Sequence, residues 1–141
     1  MKTFPIRLIP GQDLREALEA AVRAQGCQAA FVLSGIGSLV DARIRFAGAD
    51  EPLCICGDSE ILSLSGTVGV GAAGYAGRGH SLLHRAGAAA TGEVFGGQVA
   101  PGCRVRTTAE VLLALLPEWT FMREADAATG FAELVVKARE G

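Results

Sequence analysis

Histidine, lysine and basic runs are scarce in this chain, and each scarcity narrows what it can do. His80 and His84 are the only histidines, so one chain by itself cannot build a site on three imidazoles. Eleven arginines but only two lysines are scattered among 15 acidic residues, for a formal net charge of −2. Sequence-independent DNA affinity comes from clustered cations that neutralise phosphates. With no basic block or arm, autonomous tight DNA binding is not expected. No apolar run reaches membrane-spanning length. Lys2, Arg7, Asp13 and Arg15 interrupt the region where a signal peptide would need its apolar core. The expected setting is cytoplasmic, with no membrane partner. The cysteines at 27, 54, 56 and 103 are then expected to be reduced thiols rather than disulfides.

Apolar residues, by contrast, are plentiful. They make up 50% of the 141 residues, and the mean hydropathy is +0.33. That length suits one domain, 1–141, with a substantial core. So apolar a monomer would leave large patches exposed, which points to subunit contacts.

Residues 3–10 alternate apolar and polar between Pro5 and Pro10, the pattern of an edge strand. Asp13 with Glu16 forms a capping-box pattern, and Leu14, Ala17, Leu18, Ala21 and Val22 make the apolar stripe of a helix over 13–25 that Gly26 ends. Residues 27–33 read as a buried strand, and 40–47 as a half-buried one. Between them Ser34-Gly35-Ile36-Gly37-Ser38 lacks the third glycine of a dinucleotide fingerprint and any Gly-Lys-Ser/Thr. A glycine bend or bulge is the better reading. Short strands are expected at 53–56, 60–67 and 94–99. Further strands at 119–123 and 132–136 should close the sheet.

Four segments, Leu33 to Leu39, Gly57 to Thr67, Gly96-Gly97 with Pro101 to Glu110, and Asp126 to Val136, resemble in order the plant and prokaryote conserved (PPC) domain. Plant AT-hook nuclear-localised proteins carry that domain, and bacteria carry it as a free-standing protein assigned to DNA binding. The plant proteins' Arg-Gly-Arg-Pro-type AT-hook is absent here. The resemblance implies an α/β (α+β) fold, a mainly antiparallel sheet of about seven strands with flanking helices, assembled as a homotrimer.

It also decides a conflict over residues 107–116. Thr107 to Glu110 looks like a capping box, and Leu and Ala follow up to Pro117, which favours a helix. The family has a long strand there. We read a strand, because tertiary context overrides propensity.

From Gly69 to Gly92, 14 of 24 positions are glycine or alanine, and β-branched residues are nearly missing. The family commonly has His-x-His here and Gly-Gly-His in the next strand. Counted back from Gly96-Gly97, Leu82, His84 and Gln98 fall on those histidine positions. Segment 69–91 is either a flexible loop beside a degenerate strand or a stretch read in a shifted frame of a GC-rich gene. The first of these makes it the least ordered part of the chain.

Three groups of residues are candidate sites. His80 and His84, at i,i+4, share a face in a helix or a strand. Only His84 stands at a family position, however, and Gln98 is a poor substitute for imidazole. His84 is therefore the metal candidate, for a divalent ion as the alternative to no cofactor at all. Gly57, Glu60, Ile61 and Leu62 match the family's Gly-Arg-Phe-Glu-Ile-Leu segment, which the resemblance marks as a partner-binding contact. Asp58 and Ser59 replace its Arg and its aromatic anchor. Arg104, Arg106, Thr107, Thr108 and Glu110 form a polar cluster, in which Glu110 is expected to pair with Arg104, Arg106 or Arg123 to fix register or a subunit contact. Cys54 and Cys56 share one strand face and are expected to be ordinary buried thiols.

No nucleophile–base pair, carboxylate dyad or cofactor fingerprint is present. The sequence thus points to a non-catalytic homotrimeric binding or regulatory module. DNA association is implied by the family alone and expected to be weak. The alternative is a small-ligand- or metal-binding protein, an enzyme among the options, with a site between subunits near His84, Gln98 and Glu110.

Overall fold

The structure, a computed structural model, describes residues 1–71, 74–75, 78–85 and 92–140, with backbone only at 70–71, 74–75, 78–82 and 84–85. The elements run β1 (Lys2–Leu8), α1 (Leu14–Ala24), β2 (Ala29–Arg45), β3 (Leu53–Gly71), β4 (Gly74–Tyr75), β5 (Arg78–Arg85), β6 (Val94–Val99), β7 (Arg104–Leu115), β8 (Trp119–Ala125) and β9 (Ala132–Ala138). Among the described residues α1 is the one helix. Of the segment 69–91 expected to be a flexible loop beside a degenerate strand, residues 69–71, 74–75 and 78–85 belong to β3, β4 and β5, and the rest lies outside the described residues.

Helix α1 begins as its sequence dictates. Asp13 Oδ1 accepts the Glu16 N–H at 3.1 Å, and Gly26 takes φ +67 beyond the last turn. The other carboxylate oxygen of Asp13, Oδ2, accepts the Gly102 N–H at 2.6 Å and ties the helix start to the turn before β7. Leu14, Leu18 and Val22 enter a core shared with Val32, Ile44, Ile61, Leu83, Val99 and Leu113.

Seven strands form one sheet in the order β1-β7-β2-β6-β5-β3-β4, antiparallel throughout. Because β3 also pairs with β2, strands β2, β6, β5 and β3 close a ring. Strand β7 is the segment whose local signals favour helix. It lies between β1 and β2 with Ala109, Val111, Leu113 and Leu115 buried, and the pairing on both edges overrides its leucines.

Two expectations need correction. The strands read as pairs of short pieces are continuous: β2 runs through Gly35 and Gly37, and β3 through Gly57. Gly37 and Gly57 stand at register shifts within a strand, not at its end. At Gly37 (φ +142) an added Cβ would stand 2.6 Å from Ala109 Cα, so the motif serves close approach of β7. Strands β8 and β9 do not close the sheet. They pair with each other in a separate two-stranded sheet. It is anchored where Phe121 packs edge-on against Phe31 at 5.5 Å and the Thr120 hydroxyl donates to Gln28 Oε1 at 2.8 Å.

Candidate interaction surface

The polar cluster of β7 is stitched to its neighbours. The Ser38 and Thr107 hydroxyls are 2.7 Å apart, and the Thr107 N–H donates to Ser38 Oγ at 3.2 Å. Arg106 Nε lies 3.0 Å from Asp58 Oδ2. Arg104 Nη1 donates to the Gly11 carbonyl at 3.2 Å. Thr108 is half-buried. Glu110 departs from the expectation: it is exposed, opposite Arg7 on β1 and Ile36 on β2, and forms no ion pair with Arg104, Arg106 or Arg123. A carboxylate left in water needs no partner, which removes the reason for pairing it. Arg123 instead reaches Glu133 and Thr67.

The segment from Gly57 to Leu62 divides by strand period. Ile61 is in the core, whereas Gly57, Glu60 and Leu62 are exposed. Leu62 is 48% exposed, standing where the β3–β5 register shifts between Ile61 and Ser63. On neighbouring β2 stand Leu33 and Ile36, at 50% and 54% exposure, where Gly37 pairs with Ile61 and Val32 with Gly66. Sequence does not single out these β2 side chains, because an unbroken apolar run reads as buried on both faces.

The thiols also differ from expectation. Cys54 and Cys56 are exposed, not buried, with their Sγ atoms 3.3 Å apart. That contact pushes the Cys54 thiol up. Cys103 is buried, its sulfur 3.2 Å from both the N–H and the carbonyl of Arg43. Burial pushes its thiol up to about 11.

The positions counted for the family's histidines lie on β5 and β6. Gln98 pairs in register with His80 on β5 and with Arg45 on β2, while His84 lies opposite Glu60 and Val94. The side chains of His80 and His84 lie outside the described residues. Gln98 Oε1 accepts a hydrogen bond from Arg45 Nη2, so a guanidinium occupies the oxygen that a metal would need. Gly97 allows this approach: a Cβ there would meet Ile44 Cγ2 at 2.6 Å and the Arg45 carbonyl at 2.7 Å. A guanidinium at Gln98 would compete with a divalent ion for that oxygen. Among the described residues no group of three or more His, Cys, Asp or Glu could hold one.

Residues 1–117 match the Plants and Prokaryotes Conserved (PCC) domain. The chain belongs to this family. A hypothetical protein from Salmonella is similar in structure to this PCC chain, with 32% identity and a TM-score of 0.87 over 99% of this chain and 95% of that one. The metal-containing protein AF0104 from Archaeoglobus fulgidus is 29% identical, with a TM-score of 0.77 over 96% and 94% of the two chains. The bifunctional protein GlmU from Synechococcus sp. (strain JA-2-3B'a(2-13)) is 42% identical over an aligned length of 144 residues that covers 100% of this chain and 21% of that protein. The PCC chain thus spans about a fifth of that relative's length. No helix among the described residues is long and apolar enough to cross a membrane.

Proposed function

We propose that this PCC chain is a non-catalytic binding and regulatory module that works as a homotrimer. The observation that carries the reading is the exposed apolar strip of Leu33, Ile36 and Leu62 on two neighbouring strands. Apolar side chains gathered on one sheet face favour a protein partner, and a second copy of the chain meets that need. Thr108 and Glu110 lie on the adjoining strand and would rim the contact. Gly57, Glu60 and Leu62 would present the partner-binding face of β3. A homologous segment forming about a fifth of a larger protein also suits a module. Light scattering at micromolar concentration tests this: three chains of 14.5 kDa are expected, and a single one overturns it.

DNA association, in this reading, is weak and strongly salt-dependent. Arg106 is neutralised by Asp58, Arg104 is held on a backbone carbonyl, and Arg45 is engaged by Ala49 and Gln98. Guanidinium groups held in this way release fewer counterions from a duplex. A titration with duplex DNA decides it, since submicromolar affinity at physiological salt would contradict this part of the reading.

A further inference from the structure

Cys54 and Cys56 owe their closeness to a bulge. Two residues apart on an extended strand, side chains on one face stand about 6–7 Å apart along the strand. Here the Sγ atoms are 3.3 Å apart. Asp58 pairs with Val40 and Ile55 with Ala42, so Cys56 and Gly57 together face the single residue Asp41. Gly57 takes φ +86 and Asp41 φ +50, and the Gly57 N–H donates to Asp41 Oδ1 at 2.8 Å. Two residues against one bend the strand, and the bend turns Cys56 toward Cys54. The other cysteines, Cys27 and Cys103, are buried.

We propose that Cys54 and Cys56 form a dithiol site that exchanges with small-molecule disulfides and closes reversibly into an intramolecular disulfide. The thiolate of one cysteine attacks a sulfur of the disulfide RSSR, forming a mixed disulfide and releasing RS⁻. The second cysteine loses its proton to solvent and attacks the protein sulfur of that mixed disulfide. The protein S–S bond forms and the second RS⁻ leaves. In sum, two protein thiols lose two electrons and two protons, and RSSR becomes two RSH. The sulfurs must close from 3.3 Å to about 2.05 Å. Closure would tighten the bulge that precedes Asp58 and Glu60, so the oxidation state would be felt on the face of β3 carrying Glu60 and Leu62. The site itself does not rest on the trimer reading. With no cluster of three ligands among the described residues, exchange is favoured over chelation of a soft ion.

The intact protein, equilibrated in buffers of oxidised and reduced glutathione, would be acid-quenched, alkylated and mapped by peptide mass. Wild type is expected to gain a Cys54–Cys56 disulfide as the oxidised fraction rises, while Cys27 and Cys103 stay reduced. In Cys54→Ser and Cys56→Ser, ring closure is impossible, so the glutathione adduct on the remaining thiol should be at least tenfold more abundant than in wild type. Asp41→Ala, which frees the bulge, should lower the closed fraction several-fold at the same buffer ratio. A wild-type protein that remains reduced overturns the proposal. So does one that keeps its glutathione adduct to the level of the serine variants, or bridges only between chains.

Discussion

Arg106 on β7 reaches across β2 to Asp58 on β3, with Nε and Oδ2 3.0 Å apart. The side chains are 44% and 32% exposed, so solvent screens the pair in the single chain. A double-mutant cycle with Arg106→Ala and Asp58→Ala should give a coupling of about 0.2–1 kcal/mol that shrinks with added salt. Denaturant titration measures it. A coupling several times larger would mean that a neighbouring subunit desolvates the pair.

Gly37 tolerates no side chain. Its φ of +142 and the approach of Ala109 Cα to 2.6 Å leave rigid backbone where a Cβ would go. Gly37→Ala is expected to cost about 2–4 kcal/mol or to prevent folding. Gly48→Ala, at φ +75 with open space around it, should cost about 1 kcal/mol. Urea midpoints of the two variants compare them, and similar losses would contradict the close-approach argument.

Ile36→Asp and Leu62→Asp place carboxylates in the proposed subunit contact. Both side chains are about half exposed in the single chain. The fold should therefore survive, as far-UV circular dichroism would show. Burying an unpaired charge in a contact costs several kcal/mol, so light scattering should find monomers. Trimers that persist in both variants would place the contact elsewhere.

Cys103 supplies a pH signature. Its thiol is pushed from 9.0 up to about 11 by burial, so the folded chain holds a proton that the unfolded chain gives up earlier. Its contribution is whole below pH 9 and is lost as pH rises toward 11. About 2–3 kcal/mol should disappear across that window. In Cys103→Ala the part of the decline that belongs to this thiol should be missing, as stability measured at successive pH values would show.

Helix α1 is legible in the sequence because its cap, stripe and stop are all local: Asp13, the leucines and Gly26 specify it without help from the rest of the chain. Strand β7 is not legible locally, because leucine and alanine become a strand only when β1 and β2 lie on either side. The family resemblance supplies that context. Gly37 and Gly57 look like ends of strands, since sequence shows a glycine but not whether the ladder resumes beyond it. The exposure of Cys54 and Cys56 is hidden for a related reason. Period-two spacing puts two side chains on one face, but only the bulge opposite Asp41 determines how that face lies. Glu110 shows the same limit, because a carboxylate in an apolar run looks buried until the outward face of the sheet is known.

The pairing of β1 with β7 sets a schedule for the growing chain. Lys2 lies opposite Leu115 and Leu8 opposite Ala109, so β1 meets its ladder partner only after β2 to β6 have been made. At about 5–20 residues per second, that interval lasts roughly 5–20 s. Through it, Phe4 and Ile6 have no strand to join. On the register alone, residues 2–8 join the sheet late, and the ring of β2, β3, β5 and β6 is made before the partner of β1 is complete.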